Sequence, residues 1–127
     1  MSVGIKELMA EAEAQVRSVT PAEAADLLAD EGTVFVDIRD VRELQRDGLV
    51  QGARHAPRGM LEFWIDPESP YHKPYFAEDK TFVFYCASGW RSLLATQVAQ
   101  RMGLKCASLR GGFTAWRESA LPVETRD

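Results

Sequence analysis

The chain has 127 residues, 46% hydrophobic and 27% charged, values ordinary for one globular domain burying about two-thirds of its unfolded surface. Its 15 basic and 19 acidic side chains leave a net charge of −4 without any basic block, so nucleic-acid binding has no electrostatic support. No apolar run approaches the ~20 residues of a membrane span, and two cysteines without metal-ligand spacing argue against a disulfide framework or a zinc site.

Ile5, Leu8, Met9, Ala12 and Val16 recur at helical spacing among charged residues, which predicts a one-sided amphipathic helix. Acidic residues follow the first methionine closely, and no signal-peptide core is present, so the cytoplasm is the expected compartment. After a short extended piece from Val16 to Val19, Thr20-Pro21-Ala22-Glu23 carries a capping box and a proline suited to the first helical turn. This second helix is expected to run to about Asp30 and stop near Gly32. Thr33 to Ile38 is a near-continuous apolar, β-branched run, as in a strand buried on both faces. Asp40 caps a short helix through Gln45, ended by Asp47-Gly48. Gly52 to Pro57 is a brief strand closed by proline, and a short helix covers Met60 to Trp64.

The segment 65–80 has no regular period and combines Pro67, Pro70 and Pro74 with Tyr71, Tyr75 and Phe76. Unstructured loops of this length are uncommon in compact domains and tend to be functional or tightly packed. Thr81 to Tyr85 returns to the buried-strand pattern. A helix follows from Arg91 to Met102, then a strand from Lys105 to Leu109, and a last helix from Gly112 to Ser119 with Phe113 and Trp116 on one face. Strands alternate with helices throughout, which predicts an α/β fold with a parallel sheet covered on both faces. Ligands in such sheets bind beyond the C-terminal strand ends, where Cys86 stands.

A free thiol titrates near pH ~8.5, so a nucleophilic cysteine needs its thiolate stabilised. The residues from Ala87 to Ser92 turn a strand into a helix, so their amides can converge on one anion, and Arg91 adds a cation in the same turn. Gly89 allows the tight curvature. No histidine is adjacent to act as base, so activation would be electrostatic. Two readings remain at this level: Cys86 as a nucleophile, or Cys86 as a small residue filling a strand end.

Four segments, in order, resemble the rhodanese family of sulfurtransferases. They are Val36-Asp37-Ile38-Arg39-Asp40 with Glu43, the stretch from Leu49 to Pro57 with Gly52-Ala53, the loop Cys86-Ala87-Ser88-Gly89-Trp90-Arg91-Ser92, and Leu109 to Trp116 with Gly111-Gly112. The resemblance covers roughly residues 17–124, so residues 1–16 form an added N-terminal helix and 17–127 a rhodanese-like domain. It implies a five-stranded parallel sheet with helices on both sides, and a Cys86 persulfide that carries sulfur without metal or organic cofactor. The donor would be thiosulfate, a polysulfide or a persulfide from a sulfur-relay protein, and the acceptor cyanide or a thiol. Amides from Ala87 to Ser92 would cradle the persulfide, and Arg91 would attract the anionic donor.

Two alternatives are kept. One is a non-catalytic rhodanese module used for binding or regulation, although such modules commonly lack the cysteine. The other is a cysteine-dependent phosphatase or arsenate reductase. Surrounding a phosphoryl group takes a longer loop, and only Ala87, Ser88, Gly89 and Trp90 separate Cys86 from Arg91.

Asp37, Arg39 and Arg110 are expected on the same rim as Cys86. Asp37 and Arg39 either shape the pocket's field or make a salt bridge with Glu43 or Arg42 that fixes the loop, the second being favoured. Arg110 either attracts anions or is a surface residue. Trp90 either lines the mouth of the pocket or packs beneath the segment 65–80, and that segment is expected to wall the site and restrict acceptors. Cys106 lies in a predicted strand as an inert core residue. His55 and His72 are expected to be ordinary surface or underlying residues. The N-terminal helix buries its stripe against the domain or a second copy, so monomer and homodimer are both open.

Overall fold

The computed structural model describes residues 2–126. Its elements in chain order are α1 (Ile5–Gln15), β1 (Ser18–Val19), α2 (Pro21–Ala25), β2 (Thr33–Asp37), α3 (Val41–Asp47), β3 (Leu49–Val50) and β4 (Arg54–His55). Then follow α4 (Leu61–Ile65), β5 (Thr81–Tyr85), α5 (Trp90–Arg101), β6 (Lys105–Leu109), α6 (Gly112–Glu118) and β7 (Val123–Glu124). Five strands form one parallel sheet in the order β1-β6-β5-β2-β4. Helices cover both of its faces, as the alternating pattern requires.

The central pair, β2 and β5, is apolar at nearly every position because both faces of each strand are buried. Successive side chains alternate between faces. Val36, Phe82 and Phe84 therefore join Leu61, Phe76 and Ala95 in one core. Phe35, Val83 and Tyr85 join Leu109, Phe113 and Trp116 in the other. Each side chain of this size contributes about 1.5–3 kcal/mol when fully buried.

Both expected N-caps form. Thr20 and Glu23 make a reciprocal capping box, and Asp40 makes a second one with Glu43 that opens α3. The helix expected to reach Asp30 ends earlier, at Ala25. Leu27 and Leu28 donate to carbonyls only three residues back, so the chain tightens into turns. The segment 65–80 is packed rather than loose. Ile65 and Phe76 are buried, the Phe76 ring lies 5.3 Å from Phe82, and residues Pro74–Ala77 form a short 3-10 turn. The antiparallel pair of β3 and β7 was not foreseen, since two-residue strands carry no period.

The N-terminal helix packs on the domain. Ala12 is fully buried against it, and the amides of Gln97 and Gln100 in α5 donate to Gln15 at 2.8 and 3.0 Å. Ile5 and Leu8, further from this contact, stay exposed. No helix among the described residues is long and apolar enough to cross a membrane.

Candidate active site

β5 ends at Tyr85, and the next residue, Cys86, is 1% exposed. The Gly89 N–H donates to Cys86 Sγ at 3.2 Å, and Ser92 Oγ lies 3.7 Å from the same sulfur. Ser92 is fixed in turn by Gly89 O at 3.3 Å and by Ser108 Oγ at 2.9 Å. Gly89 holds a left-handed φ of 97°, which a residue with Cβ adopts only at a cost. α5 begins at Trp90, so its first turn directs positive dipole toward the sulfur.

The loop is braced from outside by the first turn of α6. Phe113 N donates to Cys86 O at 2.8 Å and Thr114 N to Ala87 O at 3.0 Å. This close approach explains the Gly111-Gly112 pair. Both have positive φ, and a Cβ on Gly112 would stand 2.5 Å from Cys86 O.

Arg91 and Glu43 meet at the outer edge of the loop. The guanidinium donates to both carboxylate oxygens at 3.0 and 3.1 Å, a two-point match that joins α5 to α3. The Arg91 bond draws the Glu43 carboxyl below its ordinary range. Arg91 is held above its own, chiefly by Glu43 and also by the Cys86 sulfur. Ala87 is partly buried, while Ser88, Trp90 and Arg91 are open to solvent, so the sulfur sits recessed behind an exposed polar rim.

Asp37 and Arg39 pair with each other, which corrects the partners expected from sequence. Arg39 donates to both Asp37 oxygens, at 3.0 and 2.7 Å, and to Gly48 O at 2.7 Å, with both side chains sealed from solvent. Its guanidinium also lies over the Phe113 ring at 4.4 Å. A cation buried this deeply needs a carboxylate beside it, and Asp37 is the one that shares its burial. Arg42 turns instead to Asp40, and Glu43 to Arg91. The Asp37–Arg39 pair thus ties the end of β2 to Gly48 and to the Phe113 ring.

Arg110 is exposed and borders a cavity of about 120 Å³ with Ser18, Ser88, Trp90 and Ser108, on the β1 side of the loop. Trp90 does not reach the segment 65–80. It is 65% exposed and faces α1, beside Leu93, Met9 and Ile5. No local signal could place it, because α1 lies some eighty residues away in sequence. Ser108 was also missed by sequence reasoning, since a lone serine in a strand has no signature.

Cys106 is half-buried, and its thiol donates to Thr96 O at 3.6 Å. Burial pushes this thiol up to about 11. At pH 8 only about one molecule in a thousand would carry the thiolate, the form that reacts. N-ethylmaleimide at pH 8 is therefore expected to leave Cys106 of the native protein unlabelled in peptide mapping; rapid labelling there would contradict this environment.

Three comparisons with known proteins bear on this arrangement. The thiosulfate sulfurtransferase GlpE of Glaesserella parasuis is 30% identical over 107 residues, covering 84% of this chain and 91% of its own. The human thiosulfate:glutathione sulfurtransferase is 31% identical, covering 80% of this chain and 93% of its own. A solved Rhodopseudomonas palustris protein of unknown function, RPA3614, described as a possible tyrosine phosphatase, is 52% identical with a TM-score of 0.94, over 98% of this chain and 96% of that one. The family model for the rhodanese-like domain matches residues 20–119, a span that contains Asp37, Arg39, Glu43, the whole Cys86 loop and the Gly111-Gly112 turn. The chain belongs to the rhodanese-like domain family.

Proposed function

We propose that this protein is a sulfurtransferase that carries sulfur as a persulfide on Cys86. The observation that carries the reading is the seat of the sulfur. Cys86 Sγ lies at the C-terminal end of the central strand, against the Gly89 amide at 3.2 Å, in a recess closed by only four residues before Arg91. Such a seat favours an anionic sulfur, and four residues between cysteine and arginine make a short loop for surrounding a phosphoryl group.

The proposed chemistry balances in two steps. The Cys86 thiolate attacks the outer sulfur of thiosulfate; a new S–S bond forms, the donor's S–S bond breaks, and sulfite leaves with the electron pair. The acceptor, a thiolate or cyanide, then attacks the outer sulfur of the persulfide, and the pair of the broken bond returns to Cys86 Sγ. The Gly89 N–H and the α5 dipole stabilise negative charge on sulfur in both steps. Arg91, at the rim, attracts the anionic donor while Glu43 fixes its orientation. No metal or organic cofactor takes part in this scheme, and a polysulfide or a relay protein's persulfide would serve the same loop as donor.

The second reading is a cysteine phosphatase, favoured by the description attached to RPA3614. The short loop weighs against it. The test is turnover of thiosulfate with cyanide, compared with hydrolysis of an aryl phosphate, using Cys86→Ser as blank for both. Thiocyanate release above the blank, with phosphate release at the blank, is expected. Cys86-dependent phosphate release without thiocyanate would overturn the proposal, and blank-level values with every donor would leave a binding module.

A further inference from the structure

β5 and β6 run side by side, with Phe82 opposite Cys106 and Phe84 opposite Ser108. Alternation puts Phe82 and Phe84 on one face of the sheet, and Cys106 and Ser108 on the same face of the next strand. That face belongs to the core of Phe82, Phe84, Ala95 and Ala99, which Cys86 also joins. Ser108, 1% exposed, is therefore a hydroxyl set among apolar side chains, a place where it is stable only when paired. Its one side-chain partner among the described residues is Ser92 Oγ, at 2.9 Å.

Ser92 is fully buried in the first turn of α5, and Thr96 Oγ1 donates to its carbonyl at 2.6 Å. Its hydroxyl has a single proton and three neighbours: Gly89 O at 3.3 Å, Ser108 Oγ at 2.9 Å and Cys86 Sγ at 3.7 Å. With Cys86 as a thiol, the S–H donates to Ser92 Oγ and the Ser92 O–H donates to Gly89 O. A thiolate needs the reverse, an O–H turned toward sulfur. Gly89 O loses little in that exchange, because it caps α5 and accepts the first bond of the helix. The Ser108 hydroxyl can donate to Ser92 Oγ in both states.

We propose that Ser108 is a positioning residue for the Cys86 chemistry: its hydroxyl donates to Ser92 Oγ, and the Ser92 O–H swings from Gly89 O to Sγ whenever that sulfur bears negative charge. This rests on the sulfurtransferase reading above, in which charge appears on Sγ twice. It appears first when Cys86 loses its proton to solvent, before attack on the donor. It returns when the acceptor takes the outer sulfur, the S–S bond breaks and the electron pair goes back to Sγ. In the persulfide between these steps the outer sulfur carries the charge, and the Ser92 O–H rests on Gly89 O. A hydrogen bond to a charged group is stronger than one to a neutral group, so the pair favours thiolate over thiol. Two hydroxyls in line polarise each other, so Ser108 strengthens the bond to a sulfur that it does not touch.

The test is the rate at which iodoacetamide alkylates Cys86, read by peptide mapping from pH 5.5 to 9.5 in wild type, Ser108→Ala and Ser108→Thr. The alanine variant is expected to react about threefold more slowly at the acid end, where the thiolate fraction limits the rate. At the alkaline end, where ionisation no longer limits it, the two rates converge. Ser108→Thr keeps the hydroxyl and is expected at the wild-type rate throughout. The Arg91–Glu43 pair at the outer edge of the loop is present in all three proteins. A serine that only fills the core predicts a different result: a loosened loop opens the recessed sulfur and raises the rate at every pH. A ratio of variant to wild type that does not change with pH, or a threonine variant that stays with alanine, would overturn the proposal. Single-turnover discharge of the persulfide by cyanide is the second arm, with thiocyanate release about threefold slower in Ser108→Ala. Equal discharge rates would overturn the role assigned to the returning charge. A wild type that forms no persulfide would instead remove the sulfurtransferase reading, while the alkylation profile still judges the hydroxyl pair.

Discussion

Alanine at position 112 is expected to destabilise the protein by roughly 3–5 kcal/mol, the sum of backbone strain and overpacking, and to cut persulfide formation with it. Gly112 has a φ of 60°, and its Cβ would meet Cys86 O at 2.5 Å and Ala87 O at 2.7 Å. Neither carbonyl can step aside cheaply. Each accepts a hydrogen bond from the first turn of α6, and the same backbone carries the sulfur seat. The change should therefore reach the chemistry as well as the fold. Gly59→Ala is the control, because its Cβ meets nothing within 4 Å and its φ is not left-handed. Urea unfolding of both variants, with persulfide formation measured on each folded protein, checks this. A Gly112→Ala protein as stable and active as Gly59→Ala would show that the first turn of α6 does not brace the loop.

Arg39→Met is the second large effect. It leaves the Asp37 carboxylate sealed from solvent without its cation, and breaking a buried pair from one side costs about 3–5 kcal/mol. For a domain of this size that corresponds to a fall in Tm of roughly 10–20 °C. Removing both charges, as in Asp37→Leu with Arg39→Met, leaves no buried charge unpaired. The double variant is expected to be more stable than Arg39→Met alone, and the two single effects should fail to add. Thermal unfolding of the four proteins measures the coupling. Simple additivity would mean that the pair does not act as a unit, and that Arg39 matters mainly through Gly48 O and the Phe113 ring.

The strands and helix starts were legible because they follow from local rules. β2 and β5 announce themselves as apolar runs, and Thr20 with Glu23 is a capping signal four residues long. The Cys86 loop was legible for a similar reason: cysteine, glycine and arginine lie within six residues of one strand end. What the sequence hid was assembled across distance. Gly112 meets Cys86 because β5 and β6 are neighbours in the sheet, and nothing near either residue says so. Arg39 lies two residues from its partner, yet the choice of Asp37 over Glu43 depends on which carboxylate is buried with it. Trp90 is positioned by α1, some eighty residues away in sequence. The segment 65–80 had no period to read because its order comes from Ile65 and Phe76 entering the core one at a time.

The central claim is that Cys86, and no other residue, accepts sulfur. It is tested most directly by incubating the protein with thiosulfate, digesting it without reductant and weighing the Cys86 peptide. A gain of one sulfur atom on that peptide is expected, reversed by cyanide and absent from Cys86→Ser. No gain in the wild type, or an equal gain in the variant or on Cys106, would contradict it.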